Sequence, residues 1–208
     1  MVASTTQDLT IFYERWSDKA QVYDNQTLSD CFDKFFTIFI IYNRLYVEVA
    51  KILVKENPDI DKSFGVTRQL INKTKNNQVS VRPNLPNDRW CATTGINIYC
   101  KNSKIEFEKQ IFTDCESEIN TIMRIIRNND LYFHEDYLTN TPLWNKDLEL
   151  CEKINNKSIL AVLQFIYLVR CNLFHGEKEF NENQLQLFQA VNTLLAKVNL
   201  HIFNTLTK

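Results

Sequence analysis

The sequence predicts an all-α fold, and three observations carry that prediction. Glycine and proline are scarce, three and four among 208 residues, while helix-tolerant residues are abundant. Apolar residues recur every three or four positions through several long stretches, the period of an amphipathic helix. A further stretch, Ile159 to Val169, is apolar on every side, as expected of a helix contacted all round. With 44% hydrophobic and 24% charged residues the chain can bury a sizeable core. That suits a single domain over 1–208, with 57–104 as an irregular insertion.

Taking the elements in order, Ile11, Phe12, Tyr13 and Trp16 give the first 26 residues an amphipathic patch suited to a helix on the core or on a partner. From Leu28 to Glu56 a stripe of Leu28, Cys31, Phe32, Phe35, Phe39, Tyr42, Tyr46, Val49 and Leu53 predicts a long helix, stopped by Asn57-Pro58. Ile38, Ile40 and Ile41 widen the stripe, so its middle is covered on more than one side. The run Phe35 to Ile41 is rich in β-formers, but the periodicity outside it decides for helix.

Residues 57–104 read as irregular. Val66 to Lys75 suits a short helix, and a brief hairpin is expected around Val79–Val81 and Ile96–Tyr99, with Gly95 among the turn residues. Between Lys62 and Lys104 eight Lys or Arg face one acid, Asp88, so this segment is strongly basic in a chain of net charge −1. Arg68, Lys73, Lys75, Arg82 and Arg89, interleaved with Trp90 and Tyr99, suit an RNA grip, since cations neutralise phosphates and aromatic faces stack on bases. A solvated loop or a docking surface for an acidic partner reads equally well.

A second long helix is expected from Lys104 to Arg127, closed by Asn128-Asn129-Asp130. Thr141 as cap and Pro142 as first residue predict a helix to Ile154 that buries Leu143, Trp144, Leu148 and Cys151. Asn155 to Ser158 form a turn, with Ser158 capping the central helix. A last helix, capped by Asn183, runs to Leu206 with a stripe wide enough for both a core and a dimer interface.

Six cysteines lie without a Cys-x-x-Cys pair, so free thiols are expected, and with them a cytoplasmic location. Neither a signal peptide nor a membrane span is read, and no metal or cofactor is called for. The scarcity of glycine argues against a phosphate-cradling loop.

The chemistry concentrates where the apolar run ends, in Arg170, Asn172 and His175 followed by Gly176. Gly176 permits a backbone turn there, which would aim Arg170 and His175 into one neighbourhood. A guanidinium offers a planar fork of donors to phosphate oxygens, and an imidazole moves protons near neutral pH. The plainer alternative is a cation in the last helical turn, favoured by the dipole. A second set, Arg127, Asn128 and His134, has the same residue types. Arg170 and His175 are preferred because they follow a fully apolar helix and precede the last one.

The segment Val169-Arg170-Cys171-Asn172-Leu173-Phe174-His175-Gly176 resembles the signature of the HEPN superfamily, an arginine and a histidine four to six residues apart at the junction of two core helices. The resemblance extends over 105–208 and to the helix at 28–56. It implies an antiparallel helical bundle that dimerises, two motifs forming one composite cleft, and metal-independent endoribonuclease activity of toxin–antitoxin or phage-defence type. Arg170 and His175 match the catalytic pair, with Asn172 as an orienting amide. The partners implied are RNA, a second copy of the chain, and an antitoxin or other regulatory protein. The family pattern has Asn, Asp or His directly after the arginine; here Cys171 stands there. The alternative is therefore a non-catalytic HEPN-like module that binds RNA, a nucleotide or a partner.

Overall fold

The computed structural model describes residues 5–57, 59–60, 71–73, 79–81, 85–102, 106–136, 138–175 and 182–208. Helix α1 (Thr6–Gln21) opens with a capping box: Thr5 Oγ1 accepts from the Asp8 N–H at 3.1 Å, and the Asp8 carboxylate accepts from the Thr5 N–H. Helix α2 (Leu28–Glu56) has the bounds that the sequence predicts, and Thr27 caps it by accepting the Asp30 N–H. Burial of Phe35, Tyr42, Leu45, Tyr46 and Val49 makes α2 the centre of the core.

Strands β1 (Ile71–Lys73) and β2 (Val79–Val81) pair antiparallel, with Asn72 opposite Ser80. The helix expected from Val66 to Lys75 is thus corrected over 71–73, and 66–70 and 74–75 lie outside the described residues. The expected hairpin partner is corrected as well. Ile96–Tyr99 is helical, within a segment made of α3 (Asp88–Trp90), a π-helical turn (Cys91–Gly95) and α4 (Ile96–Asn102). Asn87 starts this segment by accepting the Trp90 N–H at 2.9 Å. Trp90, Ala92, Thr93, Ile96 and Cys100 are buried, so 88–102 belongs to the core rather than to an irregular insertion. Tyr42 reaches across from α2 to donate its hydroxyl to the Ala92 carbonyl.

The second long helix is two: α5 (Phe107–Asp114) and α6 (Glu116–Arg127), bent at the buried Cys115. Hydrogen bonds from Cys115 N–H to the Ile111 carbonyl and from Ile119 N–H to the Cys115 carbonyl bridge the bend, which is why the periodicity runs through it. Two-residue strands β3 (Glu135–Asp136) and β4 (Thr141–Pro142) then pair. Pro142 therefore belongs to a strand, and helix α7 (Trp144–Asn155) begins two residues later without a side-chain cap. Its buried face is Asp147, Leu150, Cys151 and Ile154; Leu148, expected inside, is 38% exposed. The turn at Lys157, with φ of 59°, leads to Ser158, whose Oγ accepts the Ala161 N–H at the start of α8 (Ile159–His175). The last helix is α9 (Glu182–Leu206).

Helix α9 lies along α2 and α6; α1 covers α2; the π-turn packs between α2 and α8, and α7 joins α6 to α8. Asn192 Nδ2 donates to the Cys31 carbonyl and Asn199 Nδ2 to the Ile38 carbonyl, both at 3.0 Å. Seven residues forward on α9 meet seven forward on α2, so these two helices are parallel, a departure from an all-antiparallel bundle. In α8, Leu163, Phe165 and Ile166 are fully buried, as its apolar run predicts, each contributing roughly 1.5–3 kcal/mol of burial. No helix among the described residues is long and apolar enough to cross a membrane. All six cysteines are free thiols.

Candidate functional site

Helix α8 delivers the candidate residues at its C-terminal end. It does not stop after Arg170 but continues through His175. At about 100° per residue, positions 170 and 175 stand roughly 140° apart around the axis, whereas 172 and 175, one turn apart, share a side. Within the helix the two positions therefore do not share a side, and the turn expected at Gly176 to bring them together falls beyond His175. Gly176 lies outside the described residues.

On one side of α8, the half-buried Arg170 has its guanidinium carbon 5.9 Å from the Phe39 ring centroid and 5.8 Å from that of Tyr167. It forms the wall of a groove of about 460 Å³ with Phe12, Phe36, Phe39, Ile40, Asn43 and Arg44. Arg44 lies 5.9 Å from the Phe12 ring, so both arginines rest on aromatic faces. Behind Arg170, Asp88 accepts from the Tyr46 hydroxyl at 2.6 Å and from the Tyr167 hydroxyl at 3.1 Å. Burial first, then the Asp88 carboxylate, push both phenols well above the ordinary tyrosine range, with Arg170 opposing weakly. Both tyrosines therefore remain donors, tying the start of α3 to α2 and α8 beside the arginine.

The other side of α8 faces the loop that follows α6. Asn172 Nδ2 donates to the Phe133 carbonyl at 2.9 Å, so this amide holds the loop instead of pointing only at a ligand. The Phe133 ring packs edge-on against Phe165 at 5.0 Å. The next residue, His134, has Nδ1 2.7 Å from Asp147 Oδ1. Asp147 Oδ2 accepts the backbone N–H groups of Phe133 at 2.9 Å and His134 at 3.4 Å. The Asp147 side chain is 1% exposed and that of His134 29%. Since a carboxylate only accepts, the ring carries its proton on Nδ1 and leaves Nε2 as the basic nitrogen. The second candidate set is also placed: Arg127 sits beside Cys151, one helical turn from Asp147, where it opposes the burial that pushes the Cys151 thiol up.

Of the basic residues expected to grip RNA, Arg89 is exposed next to Asp88 and Lys73 lies in β1, while Arg68, Lys75 and Arg82 lie outside the described residues. Trp90 is not available for stacking: it is buried with its ring against Gly95, where a Cβ would sit 3.0 Å from Trp90 Cζ3. Tyr99 is half-buried and packed on the core. Among the described residues no three His, Cys, Asp or Glu side chains gather as a metal ion would require.

Asp147, Asp88, Tyr46 and Tyr167 escape a reading by motif. Asp147 carries one signal, an acid three and four residues before Leu150 and Cys151 on the apolar stripe of its helix. Compared with protein-family models, curated proteins and solved structures, the chain finds no match.

Proposed function

We propose that the chain is a HEPN-like, metal-independent endoribonuclease of toxin or defence type that cleaves RNA by attack of the ribose 2′-hydroxyl. The observation that carries the reading is the placement of Arg170, a half-buried guanidinium on the wall of an aromatic groove that also holds Arg44. Such a groove suits a single strand, with a base against the half-buried Phe36 and phosphates at the two arginines. Arg170 would neutralise the charge that builds on the phosphorane, and His175 would transfer a proton to or from the reacting oxygens. Because positions 170 and 175 lie on different sides of α8, the arginine of one copy meeting the histidine of another completes the scheme. This scheme uses a homodimer, and the resemblance to HEPN ribonucleases adds an antitoxin or other regulatory protein as its restraint.

The same 140° separation favours a second reading, a module that binds RNA, a nucleotide or a partner in the groove without cutting. Incubating a mixed RNA pool in EDTA with wild type, Arg170→Ala and His175→Ala separates the two. Under the first reading wild type yields 2′,3′-cyclic phosphate and 5′-hydroxyl ends, and each variant loses about 10²-fold or more. A folded dimer that binds RNA but leaves it intact selects the second. Cleavage that needs magnesium, or that survives both substitutions, refutes the first.

A further inference from the structure

We infer that His134, oriented by Asp147, is a second proton-transfer residue of this chain, acting as the general base on the 2′-hydroxyl; the inference rests on the ribonuclease reading above. Three features of the geometry carry it. The carboxylate that orients the imidazole is itself nine-tenths buried and more, and its two oxygens are committed to the His134 ring and to the Phe133 and His134 N–H groups. That fixes the ring plane and the tautomer, the arrangement that turns an imidazole into an aimed base. Nδ1 is held on the buried Asp147 while the side chain as a whole is 29% exposed, and the described residues supply no hydrogen-bond partner for Nε2. Finally, Asn172 clamps the loop to α8 through the Phe133 carbonyl, and position 175 lies one turn on from 172 on that same side. The protein thus has a face of α8 that handles protons and, around the axis, a face that handles charge.

A purely structural role for this pair is the competing explanation. The loop is already pinned by the backbone N–H groups on Asp147 Oδ2, a task that asks nothing of the side chain at 134. An imidazole whose Nε2 has no hydrogen-bond partner among the described residues adds a base where the loop needs none.

In the step proposed, His134 Nε2 takes the proton of the ribose 2′-hydroxyl as that oxygen bonds to phosphorus. The bond from phosphorus to the 5′-oxygen breaks, and the leaving oxygen receives a proton from His175. His134 returns its proton to water, and His175 regains one. The sum is a transesterification with no net gain or loss of protons or electrons.

His134→Asn separates the roles, because the asparagine Nδ2–H replaces the Nδ1–H donated to Asp147 but has no atom where Nε2 was. The expected result is a variant that unfolds in urea at the wild-type midpoint and cleaves RNA in EDTA about 10²-fold or more slowly. His134→Ala, followed in parallel, should regain part of its activity when free imidazole is added. Folded His134→Asn cutting within about threefold of wild type overturns the inference, as does a folded His134→Ala that imidazole does not restore. A wild type inert toward RNA is a different failure: it removes the ribonuclease reading itself, and His134 as its base with it.

Discussion

Replacing Asp147 by alanine tests whether the carboxylate holds the loop after α6. The Phe133 N–H, on a residue only 6% exposed, loses its acceptor at 2.9 Å, a loss of about 1–3 kcal/mol. The His134 ring is 29% exposed and finds water instead, so its contribution is discounted to about 1 kcal/mol or less. The truncated side chain leaves a small void between α7 and the loop, adding about 1 kcal/mol. Asp147→Ala is therefore expected to lose about 3 kcal/mol, or about 6–12 °C in Tm for a chain of this size. Asp147→Asn keeps an oxygen for the Phe133 N–H and should lose about 1 kcal/mol. Urea unfolding at pH 7, with the slopes of the three proteins compared, reads both values. If Asp147→Ala lies within about 1 kcal/mol of wild type, or if both variants fall equally, the carboxylate does not anchor the loop through directed hydrogen bonds.

Two further perturbations address other parts of the core. Gly95→Ala places a Cβ 3.0 Å from Trp90 Cζ3 and 3.3 Å from Cε3, and the buried ring has little room to yield. Overpacking outweighs the better helix propensity of alanine, giving a net loss of about 1 kcal/mol in denaturant unfolding, whereas a stabilised variant would mean that the ring swings aside. His201, wedged between Phe107 and Asp114 with Lys197 nearby, has its pKa lowered by burial, the neighbouring Asp114 opposing and Lys197 adding. The unfolded chain therefore takes up this proton first as pH falls, and stability declines from about pH 6.5 downward through the depressed folded value. His201→Gln should flatten that decline in unfolding midpoints measured between pH 7.5 and 5; an unchanged slope would assign the pH dependence to other groups.

The long elements were legible because their periodicity reports burial directly. The bounds of α2 are readable from Leu28 and from Asn57-Pro58, and the central position of α8 from a run with no polar face. What periodicity does not report is tertiary polarity. Leu148 and Asp147 are neighbours on α7, and sequence reasoning puts the leucine inside; the structure buries the aspartate because Phe133 and His134 supply donors from 13 and 14 residues away. Ile96-Asn97-Ile98-Tyr99 alternates like a strand, and only the cap at Asn87 and the close approach of Trp90 to Gly95 reveal a helix with a π-turn. At the candidate site the sequence points to the end of α8 and to the arginine that lines the groove. It is silent on which way that end is wound, since the winding depends on where α8 stops. Asp88 illustrates the same limit: an acid in a basic segment reads as incidental, yet it receives two tyrosine hydroxyls from distant helices.

The parallel pairing of α2 with α9 also sets an order of assembly. Asn25 and Asn192 are 167 residues apart in the chain, as Ile38 and Asn199 are 161 apart, yet each pair is joined by a hydrogen bond. A ribosome that has released α2 must make almost all the rest of the domain before the cover for Phe32 and Phe35 exists, since Phe188 supplies it. Until then this aromatic patch of α2 waits uncovered, a demand on holding chaperones that a bundle of sequential neighbours would not make.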